Sequence, residues 1–147
     1  MNFGLVRHVT DDVRQKTAFI NEWNEALKLF FKGKEYGNDI ESFVIGITCV
    51  SEKFEQFFKL KRPTYTESKI ETHDGISIEI KKTFEYSLRL DYKTIINAND
   101  QRRMSLSASE IINSLDHFDS LPKKVKDFDR ERFKSDLERF FKEQNLI

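Results

Sequence analysis

The chain has 147 residues, in which 25 basic side chains balance 25 acidic ones and hydrophobic residues make up 38%. A chain of this length buries roughly 70% of its unfolded surface around one core, so we expect a single globular domain over residues 1–147. Nucleic-acid-binding proteins gather a basic face, and the balanced charge here favours no nucleic-acid partner. No apolar run approaches the ~20 residues that span a bilayer, which predicts no membrane partner.

The single cysteine, Cys49, indicates the redox compartment. One cysteine cannot form an internal disulfide, which fits a reducing environment. It lies in the apolar run FVIGITCV, which is typical of a central strand covered on both faces. We therefore expect a cytoplasmic protein in which Cys49 is a buried structural thiol rather than a catalytic one.

The N-terminal segments predict a strand followed by a long helix. An apolar stretch at residues 3–9 is typical of a strand, and Thr10 is placed to cap the helix after it. The helix ends at Gly33, because glycine suits the turn that follows a helix. Its predicted buried face repeats apolar residues at steps of three, four and seven: Val13, Ile20, Trp23, Leu27, Phe30 and Phe31.

Three FFK tripeptides, at residues 30–32, 57–59 and 140–142, mark predicted helix ends. The second belongs to a short helix that begins after Ser51 and ends before Pro63. Each lysine complements the negative end of a helix dipole, and two adjacent phenylalanines widen the buried arc of a helix. We therefore interpret the tripeptides as helix-end anchors rather than as a repeat.

The middle of the chain predicts antiparallel strands. Residues 76–92 alternate between apolar and polar side chains, the pattern of a strand with one buried and one solvent-facing side. Lys82 interrupts the apolar row, and there we expect a bend, a bulge or a break into two successive strands. The dipeptide Asp74-Gly75 favours a tight hairpin turn, which makes residues 64–72 the expected partner strand.

The C-terminal part predicts two helices. Ser107 and Glu110 match a capping box, so the first of these helices starts near Ala108. The second begins near Asp127 or Asp129. Its apolar residues lie on one helical face: Phe133, Leu137, Phe140 and Phe141.

The order of these elements predicts the fold class. Strands cluster in the middle of the chain and helices towards its ends, without regular alternation of strand and helix. This order is typical of an α+β fold, in which an antiparallel sheet of about four strands carries helices packed on one face. The other face of the sheet then meets solvent or a partner.

One set of residues resembles a catalytic motif. Asp74, Glu79 and Lys81 match part of the pattern of Mg²⁺-dependent nucleases, in which carboxylates hold the metal and a lysine assists the attacking water. Alternating charges on the solvent-facing side of a strand produce the same pattern, and the three histidines lack any metal-ligand spacing. We therefore expect no catalytic residues, no metal and no cofactor, and the nuclease is the enzyme alternative.

Three stretches carry a resemblance to a known family: RHVTDDVRQKTAFINEWNEAL, SFVIGITCVSEKFEQFFKLKRPTYT and DFDRERFKSDLERFF. Their arrangement and the placement of their aromatic residues resemble a family of small immunity proteins from bacterial polymorphic toxin systems. The resemblance implies a cytoplasmic protein that binds and neutralises a cognate toxin, protecting the producing cell and its kin. It implies no particular site residues.

The leading hypothesis is a non-enzymatic inhibitor that occludes the active site of a toxin. The candidate contact residues lie on the solvent-facing side of the alternating strand and in the loop GKEYGNDIE, and interfaces favour tyrosine and arginine: Glu79, Lys81, Glu85, Arg89, Asp91 and Tyr36. The alternatives are the nuclease and a structural subunit of a larger assembly. The sequence indicates neither the identity of the toxin nor an oligomeric state.

Overall fold

The structure, a computed structural model, describes residues 1–51, 53, 64–67, 69–80, 82–120 and 125–147. Within these residues the chain forms six strands and four α-helices. The strands are β1 (Asn2–Val9), β2 (Ser42–Cys49), β3 (Thr64–Thr66), β4 (Lys69–His73), β5 (Ile76–Ile80) and β6 (Thr83–Arg89). The helices are α1 (Phe19–Phe31), α2 (Tyr92–Asn97), α3 (Asp100–Asn113) and α4 (Arg130–Glu143), with 3₁₀ turns at Asp11–Val13, Gln15–Thr17 and Ser114–Ser120.

The main sheet has four strands in the order β1-β2-β6-β3. Strands β1, β2 and β6 run parallel, and β3 is antiparallel to β6. The predicted α+β fold is confirmed, but the sheet is mixed rather than antiparallel. Strand β1, helix α1 and strand β2 form a strand-helix-strand unit, which the prediction missed because half-buried strands alternate in the same way whichever direction they run.

A separate two-stranded sheet pairs β4 with β5. Its turn, Asp74-Gly75, has positive φ angles of 51° and 79°, so the predicted tight hairpin is confirmed. The predicted break at Lys82 is also confirmed, because this residue has a φ of 29° and separates strands that belong to different sheets. The prediction of one partner strand over residues 64–72 is wrong, since β3 pairs with β6 and only β4 pairs with β5.

Aromatic rings fill the space between the main sheet and the helices. The ring of Phe43, in the centre of the sheet, lies 5.5 Å from that of Phe3 and 4.9 Å from that of Phe84, measured between centroids. Phe133 of α4 closes the cluster at 4.8 Å from Phe43. Each such ring pair stabilises the fold by about 0.5–1.5 kcal/mol beyond the burial of its surface. The cluster therefore holds helices α1 and α4 against the face of the sheet on which Phe43 lies.

The predicted start of the first helix is wrong. Two 3₁₀ turns follow β1, and α1 begins only at Phe19. Thr10 makes no side-chain cap, and its hydroxyl instead accepts the backbone N–H of Ser51 at 3.1 Å. The predicted helix end is confirmed, because Gly33 follows the helix with a φ of 80°. Tertiary hydrogen bonding therefore replaces the local cap that the sequence suggested.

The predicted start of the third helix is wrong as well. Helix α3 begins at Asp100, well before the capping-box serine, and Asn99 caps it by accepting the N–H of Arg102 at 2.8 Å. Ser107 lies inside the helix, and its hydroxyl donates to the carbonyl of Arg103 at 2.9 Å. A serine hydroxyl can accept a backbone N–H as a helix cap, or donate to a carbonyl of the preceding turn inside a helix. The motif alone therefore did not locate the helix start.

The last helix agrees with the prediction. Helix α4 is capped by Asp129, which accepts the N–H of Arg132 at 3.1 Å, and its predicted apolar face is buried.

Two of the FFK tripeptides lie within the described residues. The second phenylalanine of each, Phe31 and Phe141, is fully buried, whereas Phe30 is half-buried against Phe140. The middle tripeptide and its predicted helix lie outside the described residues.

The loop between α1 and β2 is fastened to the segment before α4. One carboxylate oxygen of Asp39 accepts the backbone N–H groups of Lys126 and Asp127 at 2.7 and 2.8 Å. In return, the Asp127 carboxylate accepts the N–H of Asn38 at 3.0 Å. At Gly37, with a φ of 121°, a Cβ atom would lie 2.3 Å from the carbonyl oxygen of Asp127. Only glycine fits there, and the loop is held in one conformation.

Candidate functional site

The two faces of the main sheet differ in what covers them. Within the described residues, the four α-helices bury side chains in the aromatic core on one face, Phe31, Ile95, Ile111 and Phe133 among them. Alternate residues of a strand point to opposite faces, so the strand register defines the other side, here called the open face: Gly4, Val6, His8, Val44, Gly46, Thr48, Glu85, Ser87 and Arg89. Val6, His8 and Arg89 are exposed to solvent, so part of this face is accessible.

A glycine lies at the centre of the open face. In the register of the three parallel strands, Gly46 lies between Val6 and Ser87. A Cβ atom placed on Gly46 would lie 3.3 Å from the Ser87 hydroxyl oxygen and 3.5 Å from Nε2 of His8. The side chains of His8 and Ser87 therefore converge over the glycine from the two neighbouring strands.

This convergence leaves a shallow groove of about 150 Å³, here called the Gly46 groove. Its lining residues are Val6, His8, Val44, Gly46, Glu85, Tyr86 and Ser87. Glu85 is half-buried and has no ion-pair partner among the residues that the structure describes. Partial burial of an unpaired carboxylate is unfavourable, so Glu85 is the group in the groove that gains most from a ligand.

Two predicted contact residues, Glu85 and Arg89, lie together on the open face. Asp91 lies beyond the end of β6, where its carboxylate accepts the hydroxyl and the backbone N–H of Thr94, at 2.8 and 3.0 Å. These bonds lower the pKa of Asp91 and cap α2, a helix that the sequence did not predict. Contact of these three residues with a partner stays a prediction.

Tyr36 lies in the core rather than at the surface of its loop. Its side chain is 1% exposed and packs between Phe31 and Phe133, with ring centroids 6.1 and 5.2 Å away. Its hydroxyl donates to the Asp136 carboxylate at 2.6 Å, and burial together with this bond raises the pKa of Tyr36. In this structure the ring anchors the loop, and a direct contact with a partner requires the loop to open.

One further predicted contact residue, Glu79, belongs to the hairpin. Glu79 lies on β5, in a different sheet from Glu85, and Lys81 lies outside the described residues. Ile70 and Ile76 of the hairpin are 71% and 66% exposed, and they lie on opposite faces of the ribbon, because Ile70 pairs with Glu79 and Ile76 pairs with His73. The hairpin is therefore a second candidate surface, joined to the sheet through the start of β6.

Two residues of the nuclease alternative, Asp74 and Glu79, lie on the same hairpin, and the third, Lys81, is outside the described residues. Asp74 is in the turn, and the strand from Ile76 to Glu79 separates the two carboxylate residues by about 10 Å of backbone. In the part of the chain that the structure describes, no three His, Cys, Asp or Glu side chains form a group able to hold a metal ion. The geometry adds no support to this alternative.

The prediction that Cys49 is a buried structural thiol is confirmed. Its side chain is 0% exposed, and burial raises the pKa of the thiol to about 11. A thiol with this pKa is almost entirely protonated near neutral pH, and the thiolate is the nucleophilic form. Cys49 therefore contributes to packing of β2 and not to a reactive centre.

Most residues of the Gly46 groove were not identified from the sequence. The alternation of apolar and polar residues placed Ser87 beside Glu85 on the solvent-facing side of one strand. This alternation is the only feature of the sequence that pointed to the groove. His8 and Gly46 belong to strands that are distant in the chain, and their alignment with β6 depends on register. Register follows from how the strands pair in three dimensions, so it was not available from the local pattern.

A comparison with protein families identifies the chain. The family model described as immunity protein 44 matches residues 1–143, and no curated protein and no solved structure matches significantly. Among the described residues, each helix is too short or too polar to cross a lipid bilayer. The family match extends over nearly the whole chain and includes every element of the main sheet and its helices. The chain therefore belongs to the immunity protein 44 family.

Proposed function

We propose that this protein is a non-enzymatic inhibitor, which binds a cognate bacterial toxin in the cytoplasm and blocks the active site of that toxin. Membership of the immunity protein 44 family supports the immunity role. One structural observation supports inhibition by binding: the α-helices cover one face of the main sheet, whereas Val6, His8 and Arg89 are exposed on the open face.

The size of the open face indicates which elements take part. Three strands spaced about 4.8 Å apart, of seven or eight residues rising about 3.3 Å each, make a patch of at most roughly 14 by 26 Å, or about 370 Å². A stable interface buries about 800 Å² on each partner. The open face alone is therefore too small, and we propose that one face of the β4–β5 hairpin, the one with exposed Ile70 or the one with exposed Ile76, completes the contact.

The function is tested with the protein encoded by the reading frame beside this gene. Expressed alone, that neighbour should stop bacterial growth, and co-expression of this chain should restore it. The two purified proteins should also form a complex in size-exclusion chromatography. A neighbour that is harmless, or a lethal one that this chain neither binds nor neutralises, would remove the basis for the proposal.

The interface is tested by reversing two charges on the open face. Glu85→Lys combined with Arg89→Glu should weaken toxin binding at least tenfold, because mismatched charges across an interface are strongly unfavourable. The melting temperature should change little, since neither residue belongs to the core. Glu143→Lys, at the exposed end of α4, is the matched control. Unchanged affinity of the double variant would place the interface elsewhere.

A further inference from the structure

The Gly46 groove has walls of valine, and the side chains of His8 and Ser87 lie close to the glycine at its base. Because Gly46 has no side chain, the surface dips between β1 and β6. Val6, which is 44% exposed, and Val44 add branched aliphatic surface along the groove. Such walls suit a ligand with a narrow apolar stem, since methylene groups of long side chains lie favourably against aliphatic surface while the polar end stays near water.

The polar groups of the groove favour a cation. Glu85 is an acidic residue and has no ion-pair partner among the described residues. The Ser87 hydroxyl can accept a further hydrogen bond at the same end. An anion would meet the Glu85 carboxylate, whereas a guanidinium or ammonium group would form a charge-assisted hydrogen bond with it.

The nearest cation on the same strand does not neutralise Glu85. Arg89 follows four residues later on β6, which separates the two by about 13 Å along the strand. His8 lies over Gly46 from the β1 side, where its Nε2 atom would be 3.5 Å from a Cβ atom placed on that glycine. The groove therefore combines aliphatic walls with an acidic side chain that forms no ion pair within the part of the chain that the structure describes.

We propose that the Gly46 groove binds one arginine or lysine side chain of the toxin. The methylene stem of that side chain lies between Val6 and Val44, and its cationic end lies on Glu85. The assignment rests on the proposed function, since the toxin supplies the ligand. It makes the groove a central anchor of the interface, of the kind that provides most of the binding energy in other complexes.

The first test measures affinity for the toxin from the neighbouring reading frame. Glu85→Gln keeps the shape of the side chain and removes its charge, and it should weaken binding about tenfold to a hundredfold. Gly46→Ala adds a methyl group to the floor and should weaken binding to a similar degree. Glu143→Gln on α4 is the matched control and should bind as the unaltered protein does. Melting curves should show that all three variants are folded.

The second test identifies the toxin residue by double-mutant cycles. Each exposed arginine and lysine of the toxin is changed to glutamine and measured against both the unaltered protein and Glu85→Gln. At one position the double change should cost no more affinity than the larger of the two single changes, because the same contact is lost in each. Coupling at that position, and not at other basic residues, would establish the pair.

The two proposals fail in different ways. If the Glu85→Lys and Arg89→Glu protein loses affinity but Glu85→Gln does not, or if no basic toxin residue couples to Glu85, the groove assignment is overturned and the open-face interface stands. If charge reversal on the open face has no effect on a toxin that binds, both the interface and the groove are overturned. If the neighbouring protein forms no complex, the proposed function is overturned together with them.

Discussion

The two faces of the main sheet come from the same strands but have opposite chemistry. On the helix side, Phe43 and Phe84 are fully buried, while their neighbours in the chain, Val44 and Glu85, lie on the open face and are half-buried. One residue along a strand moves a side chain from one face to the other. We therefore expect the helix side to determine stability, whereas the open face is the surface proposed for recognition.

The strongest test of this comparison removes a ring from the helix side. Phe133→Ala should lower the free energy of unfolding by about 3–5 kcal/mol, because Phe133 touches rings of β1, β2 and α1 and its loss leaves a cavity. Urea denaturation followed by circular dichroism measures the change. Leu29→Ala, at a position 75% exposed, is the control and should change stability by less than about 0.5 kcal/mol.

The next test concerns the loop fastened beside the helices. Gly37→Ala should cost at least about 2 kcal/mol, because the residue has a positive φ and its new Cβ would overlap the backbone carbonyl of Asp127. Gly46→Ala is its counterpart on the open face, where the new atom meets only side chains at 3.3 Å or more. The comparison fails if both changes lower the denaturation midpoint equally.

A smaller effect is expected from one buried hydroxyl. Tyr36→Phe removes the hydrogen bond to Asp136 while the ring stays packed, and it should cost about 1–2 kcal/mol of unfolding free energy. Thermal and urea unfolding both measure this loss. A neutral result would mean that the ring alone anchors the loop, and it would make opening of the loop towards a partner easier than the structure indicates.

The Asp39 carboxylate should make the same loop sensitive to acid. Backbone N–H groups of Asp127 and Lys126 lower the pKa of Asp39 in the folded protein. The contribution of the ionised Asp39 side chain to the free energy of unfolding is therefore complete above the unfolded pKa of about 3.9. It is lost as the pH falls through the lower pKa of the folded state. The stability difference between the unaltered protein and Asp39→Asn should therefore shrink from pH 6 to pH 2.5. A difference that stays constant in urea titrations would contradict this assignment.

The smallest effect is expected on the open face. Val6→Thr should change the free energy of unfolding by less than about 0.5 kcal/mol, because the side chain is 44% exposed and threonine is equally suited to a strand. Leu5, its neighbour, is 5% exposed, and Leu5→Ala should cost about 2–5 kcal/mol. Similar losses at the two positions, measured by urea denaturation, would show that the open face also contributes to folding.

Local patterns predicted most elements of this fold. Apolar periodicity located the buried face of α4 and the central strand β2, and the Asp74-Gly75 turn and the Lys82 break were recognised from residue chemistry alone. The helix starts at Thr10 and Ser107 were wrong because each hydroxyl bonds a different backbone group from the one that a local cap uses. Hydroxyl groups have several possible partners, and the fold chooses among them.

The sequence by itself determined the α+β class, the aromatic core and the sides of β6 on which Phe84 and Glu85 lie. It also carried a resemblance to immunity proteins, which the family match supports. These depend on composition and on spacing within one segment. Only the tertiary structure decided that β1, β2 and β6 run parallel and that His8, Gly46 and Ser87 share a groove. Strand direction and register arise from pairing between distant segments, and alternation within a single strand is the same for every possible partner.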